Sequence, residues 1–135
     1  MIFDHIGLFV ADLAIGQQKL SALLPIASVS DSIDDAGLKV RVQFCTDTCG
    51  IRYELVAPFG EGNPVSGVLE NGKAVLNHVA YRVADLKTEA ARLRREGAIP
   101  LGSARPAVAF EGRLVMFFLT PLRFIIELIE EHTEP

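Results

Sequence analysis

The sequence predicts an α+β fold made of two tandem copies of one βαβββ module. Two observations carry that prediction: an internal repeat with a period of 73 residues, and strand-like and helix-like stretches that follow one another in the same order in each half. A fixed period decides the architecture before any local choice does. Asp4-His5-Ile6-Gly7-Leu8-Phe9-Val10-Ala11-Asp12-Leu13 matches Asn77-His78-Val79-Ala80-Tyr81-Arg82-Val83-Ala84-Asp85-Leu86, with the histidine and the Val-Ala-Asp-Leu run identical. At the same offset Tyr53-Glu54-Leu55-Val56 lines up with Ile126-Glu127-Leu128-Ile129, so each half carries a histidine followed 49 positions later by a glutamate.

The elements follow in order. Residues 2–10 alternate and include β-branched and aromatic members, which predicts a strand, and Asp12 stands where a helix N-cap belongs. A helix then runs to about Leu24. Beyond Pro25 come strands over 26–33, 37–46 and 50–57, separated by the turn chemistry of Asp-Asp-Ala-Gly and Asp-Thr-Cys-Gly. Residues 1–58 form the first module. The stretch 59–73, rich in Gly, Pro and Asn, is the linker, with a short helical turn around 65–69. The second module, 74–131, repeats the order with a strand at 76–84, a helix from Asp85 to a C-capping Gly97, and strands near 98–103, 112–119 and 123–130. All 135 residues fit one domain.

Composition limits the function. Half the residues are hydrophobic, enough to bury a core without disulfides. A formal net charge of −4 and a pI near 5.3 leave no basic stripe to track phosphates, so nucleic acid is not an expected partner. Neither is a membrane, because no apolar run reaches the roughly 18 residues that span a bilayer. The opening Met-Ile-Phe-Asp-His has no basic n-region, so the expected location is the cytoplasm. Cys45 and Cys49 lack the spacing of a zinc knuckle or redox pair and read as free thiols.

The repeat also points to a metal site. Side chains along a strand alternate faces, so His5 shares its face with Phe3, Gly7 and Phe9, while Ile6, Leu8 and Val10 turn toward the helix. His78, Glu54 and Glu127 are placed alike in their own strands. A carboxylate within Phe124-Ile125-Ile126-Glu127-Leu128-Ile129 is costly to desolvate unless a cation or hydrogen-bond donors compensate it. His5, Glu54, His78 and Glu127 together are a mixed nitrogen and oxygen set that suits one divalent ion, Zn, Ni, Co, Mn or Fe(II), with positions left for substrate. Gly7 and Ala80 leave room for that ligand. The remaining histidine, His132, lies in the polar tail 130–135 and reads as solvated.

Along the strand at 37–46, Lys39, Arg41 and Gln43 alternate with Leu38, Val40 and Val42, and the polar row is expected to face the site and bind an anionic substrate. Arg41 would be a bidentate carboxylate or phosphate partner. In the second half the equivalent row is Leu114, Met116 and Phe118.

On these residues the chain resembles the vicinal oxygen chelate superfamily, which includes glyoxalase I, methylmalonyl-CoA epimerase, extradiol dioxygenases and the bleomycin and fosfomycin resistance proteins. The resemblance covers essentially the whole chain. It implies a pair of βαβββ modules forming a cupped mixed sheet around a metal, and a homodimer. Within the superfamily the epimerases are the nearest in look. Phe3-Asp4-His5-Ile6-Gly7, Tyr53-Glu54-Leu55-Val56-Ala57-Pro58, Asn63-Pro64-Val65-Ser66-Gly67-Val68-Leu69, Asn77-His78-Val79-Ala80 and Ile126-Glu127-Leu128-Ile129-Glu130-Glu131 resemble their ligand strands and linker. The resemblance carries over the same four ligands.

Three departures accompany it. Val40 stands where the epimerases carry a glutamate taken as a catalytic base. Leu119-Thr120-Pro121-Leu122-Arg123 replaces the Asp-Pro-Asp-Gly-like turn of glyoxalases, and Gln17-Gln18-Lys19-Leu20 replaces a common Phe-Tyr pair.

The resemblance therefore implies a divalent-metal-dependent isomerase or lyase that abstracts a proton next to a carbonyl, acting on an anionic acyl thioester, with Glu127 and Glu54 as catalytic carboxylates. A glyoxalase I-type lactoylglutathione lyase is the alternative, since it needs no base beyond those carboxylates. A non-catalytic binding protein of the resistance type ranks lower, because that type lacks the ligand set. An extradiol dioxygenase also ranks lower, because Glu54 would crowd a two-histidine, one-carboxylate site.

Overall fold

The computed structural model describes residues 1–70 and 76–131. The expected solvation of His132 and the last residues of the expected linker, 71–73, lie outside the described residues, as do the first two of the second module. The chain divides into two compact units, His5–Asn77, and Met1–Asp4 with His78–Pro135.

In the first unit, strand β1 (Ile2–Phe9) leads into helix α1 (Leu13–Leu23). Asp12 caps the helix, its carboxylate accepting from the Ile15 N–H at 2.9 Å. Strands β2 (Ile26–Val29), β3 (Ile33–Asp35), β4 (Val40–Asp47) and β5 (Arg52–Pro58) follow. The order is β2-β4-β5-β1, with β3 also paired to β4. β1 runs parallel to β5, and the β4–β5 hairpin is antiparallel. On the helix side Leu20 of α1 packs with Cys45 and Leu55, and Leu8, Val10 and Tyr53 close around them. This is the orientation that the alternation of β1 predicts. Helix α2 (Pro64–Glu70) starts on a proline and is capped by Asn63, whose Oδ1 accepts from Val65 N and Ser66 N at 3.0 and 2.8 Å.

The second unit repeats the pattern. Strand β6 (Leu76–Val83) precedes helix α3 (Leu86–Arg95), capped by Asp85 through Thr88 N. Gly97 follows with φ +93°, the left-handed conformation expected just past a helix end. Strands β7 (Ile99–Pro100), β8 (Arg105–Pro106), β9 (Leu114–Leu119) and β10 (Ile125–Glu130) complete it. β6 is parallel to β10, and β10 is antiparallel to β9. Leu86 and Leu93 of α3 pack with Val83, Ala98, Phe118 and Leu128. The chain's first residues belong here: the Phe3 ring meets Tyr81 edge-on at 5.7 Å, and Asp4 pairs with Arg82 at 3.2 Å.

Three of the expected strands differ in the structure. The strand over 26–33 is two, because Ser30 turns out of the ladder and its hydroxyl accepts the Phe44 N–H at 2.9 Å in place of a carbonyl. Likewise the strand at 37–46 begins only at Val40. Residues 36–39 form the turn from β3, held by Asp35 accepting from Leu38 N, and Lys39 has φ +58°. Strands β7 and β8 likewise replace the one expected over 98–103. Both cysteines are free, Cys45 buried and Cys49 exposed, and burial pushes the Cys45 thiol up. Among the described residues no helix is long and apolar enough to cross a membrane.

Candidate metal centre

Each unit builds one histidine–glutamate pair by the same route. In the first, parallel pairing sets Glu54 of β5 beside Gly7 of β1, and antiparallel pairing sets it opposite Phe44 of β4. His5 lies two residues before Gly7 and so shares that face. Its Nε2 stands 3.5 Å from Glu54 Oε1, and its ring meets the edge of Phe44 at 5.8 Å and 74°. In the second unit Glu127 of β10 lies between Ala80 of β6 and Phe117 of β9. His78 Nε2 is 3.2 Å from Glu127 Oε1, and its ring meets Phe117 at 5.6 Å and 83°. Gly7, Phe44 and Glu54 become Ala80, Phe117 and Glu127 on adding the repeat period, so the sequence repeat is an exact structural register.

All four side chains are buried, His5 at 0% exposure and Glu54, His78 and Glu127 at 6, 4 and 3%. Together they are a group of buried side chains able to hold a metal ion. The residue paired with each glutamate is small, Gly7 beside Glu54 and Ala80 beside Glu127. Two donor atoms bound to one divalent ion at about 2.1 Å stand about 3.0–3.4 Å apart in neighbouring positions. The separation of 3.2 Å in the second pair falls in that range and the 3.5 Å of the first is a tenth of an ångström wider, and the donor set is one that divalent transition ions accept. The residues present fit the group.

The row expected to bind substrate lies elsewhere. Val40, Val42 and Phe44 are buried and pair directly with Pro58, Val56 and Glu54, so they form the face that carries the candidate ligands. Arg41 and Gln43 alternate to the other face, where they line a hollow with Ala11, Asp12, Leu13 and Gln17 at the start of α1. Arg41 is held by Asp34, whose hydrogen bond and charge raise its pKa, and it stacks on Phe59 at 5.1 Å. Gln43 donates to Ser30 O at 2.9 Å, and Lys39 donates from the turn to Glu61 O at 3.1 Å. In the second unit Met116 and Phe118 pack in the α3 core, and Phe117 takes the ligand face. The inversion has a physical reason: α1 leaves this end of the far face open to water, so polar residues suit it, while a ligand-holding face is apolar around its few polar groups. Sequence reading missed Phe44 and Phe117. The signal was present, because they too stand 73 positions apart.

The fold and this paired site define a class of protein. A family model described as the glyoxalase/bleomycin resistance protein/dioxygenase superfamily matches residues 4–117, and the chain belongs to that superfamily. A curated relative, ethylmalonyl-CoA/methylmalonyl-CoA epimerase of Cereibacter sphaeroides, is 33% identical over 115 residues, 84% of either chain. Among solved structures, methylmalonyl-CoA epimerase from Mycobacterium tuberculosis matches with a TM-score of 0.77 and 24% identity over 97% of this chain and 88% of that one. A variant of the Streptomyces coelicolor methylmalonyl-CoA epimerase in complex with 2-nitronate-propionyl-CoA matches with a TM-score of 0.75 and 23% identity, covering 100% and 99%. The chain has the α+β fold of these structures.

Proposed function

We propose that His5, Glu54, His78 and Glu127 hold one divalent ion, and that the protein is a metal-dependent epimerase of small 2-carboxyacyl-CoA thioesters, most like methylmalonyl-CoA epimerase, acting in the cytoplasm as a homodimer. The observation that carries the reading is the buried His–Phe–Glu constellation repeated in register in both units. With neutral imidazoles, the two carboxylates leave two negative charges in buried surroundings, which one divalent cation balances. The names of the Cereibacter relative and of the Streptomyces complex support the substrate class.

When bound, the ion supplies a positive centre that stabilises charge developing on a carbonyl oxygen as the neighbouring C–H loses its proton. The side chains do the rest. Gly7 and Ala80 keep the space beside the carboxylates free of bulk, and Phe9, Val42 and Phe44 give an apolar wall that strengthens electrostatic interactions near it. Val40 holds no proton acceptor, so Glu54 and Glu127 take up and return the proton.

Val40 also favours a second reading, a glyoxalase I-type lactoylglutathione lyase, whose proton transfer needs only carboxylates of this kind. The two are separated by incubating metal-loaded protein in deuterated water with methylmalonyl-CoA and, in parallel, measuring turnover of the methylglyoxal–glutathione hemithioacetal. Deuterium uptake that stops on chelation is the expected result. Hemithioacetal turnover without uptake would establish the lyase instead.

A further inference from the structure

In the second unit the sheet face that carries Glu127 is apolar beyond the carboxylate, and water reaches it. Ile125 stands two residues before Glu127 on β10, Leu119 of β9 is its direct cross-strand partner, and Ile99 of β7 is the partner of Leu119. Directly paired residues share a face, so the three form one row across three strands, roughly 10 Å from β10 to β7. The next row starts at Glu127 itself, whose partner is Phe117, and Leu101 continues it by donating its N–H to Phe117 O at 2.8 Å. Ile99 and Leu101 are 61 and 50% exposed, and Ile125, Leu119 and Phe117 are half-buried.

Neither folding nor strand addition accounts for these residues. At the repeat period Ile125, Leu119 and Leu101 stand where the first unit has Arg52, Thr46 and Ser28, which are themselves joined in register. The module therefore folds with polar side chains at these places. β7 is an edge strand, and successive N–H groups along a strand point to opposite sides. Leu101 turns its N–H inward to β9, so the residue that faces outward is Pro100, which has none, and the edge is closed to a further strand. What remains is an open apolar shelf that begins two residues from a buried carboxylate. Apolar surface continuous with a few polar groups suits a ligand whose own apolar part adjoins its polar part.

We propose that Ile125, Leu119 and Ile99 form an alkyl subsite, and that the 2-carboxyacyl group this protein accepts carries an unbranched alkyl substituent longer than methyl, lying across β10, β9 and β7. The proposal rests on the functional reading above for the carboxyacyl thioester. It is tested by equilibrium binding of methylmalonyl-, ethylmalonyl-, butylmalonyl- and hexylmalonyl-CoA to the metal-loaded protein. Affinity should rise about two- to fourfold with each added methylene, the upper figure being that of full burial. In Leu119→Thr the rise should flatten from butyl onward, and in Ile99→Thr at hexyl alone, because β7 lies farther from Glu127. Threonine keeps a strand-forming branched side chain, and the exposed Ile99 carries the test if the Leu119 variant does not fold. Affinity that does not rise with chain length, or that rises equally in both variants, overturns the proposal. So does a flat series together with a dimer that dissociates in Ile99→Thr during analytical ultracentrifugation, since the shelf then belongs to a second copy of the chain. A rising series that depends on these residues, without deuterium uptake, sinks the epimerase reaction and leaves the alkyl subsite standing.

Discussion

His5 combines two contacts that no surface histidine would need, a carboxylate 3.5 Å from its Nε2 and a phenyl edge against its ring. Replacing it by alanine removes a nitrogen donor and frees the Phe44 ring. Metal affinity of His5→Ala should fall by more than the about 10–100-fold that losing an outer support of a metal site costs. Titration with a competing chelator measures this, and far-ultraviolet circular dichroism verifies the fold; unchanged affinity would remove His5 from the ligand set. At this scale the sequence was informative where chemistry fixes residue identity. His5, Glu54, His78 and Glu127 are legible because each recurs at the repeat period. Arg52 carries no such signal: its counterpart at the repeat period is Ile125, and its contact is a stack on a residue eight positions earlier.

Helix caps and strand faces belong to the scale of the element. Asp12 and Asp85 were legible as N-caps from their place before each helical stretch, and both accept the backbone N–H three residues on. The face of β4 was not. Alternation fixes which residues lie together but not which row meets the ligands, and a left-handed turn residue, Lys39, hid the true start of the strand. Hydrogen bonds from Thr88, first its backbone N–H and then its hydroxyl, lower the Asp85 carboxyl from its ordinary 3.8. A lowered carboxylate adds stability above the unfolded-state pKa and loses it as pH falls through the folded one. Asp85→Asn keeps an acceptor at the cap but cannot titrate there. Its denaturant midpoint should fall less steeply than wild type on acidification from pH 5 to 2; parallel curves would mean that the cap's charge contributes nothing.

For the whole molecule, ion binding and folding are linked, since an ion held only by the native state shifts the unfolding equilibrium toward it. Divalent ion at one hundred times its dissociation constant should add about 2.7 kcal/mol, raising the melting temperature by about 10 °C for a chain of this size. Scanning calorimetry with and without chelator measures it; coincident melting would contradict a native-state ion site. The architecture itself was readable because a period of 73 residues is a global signal, whereas the short strands β2, β3, β7 and β8 depend on local ladder breaks. In each module the first strand takes the last as its parallel neighbour, Ile6 beside Tyr53 and Val79 beside Ile126. Closing so long a loop is entropically slow, so such pairings form late relative to hairpins. As the chain leaves the ribosome, His5 must wait until nearly the whole module has been synthesised before Glu54 exists to meet it. A half-made module therefore holds only one member of the pair, and the candidate site cannot assemble until the strand order is complete.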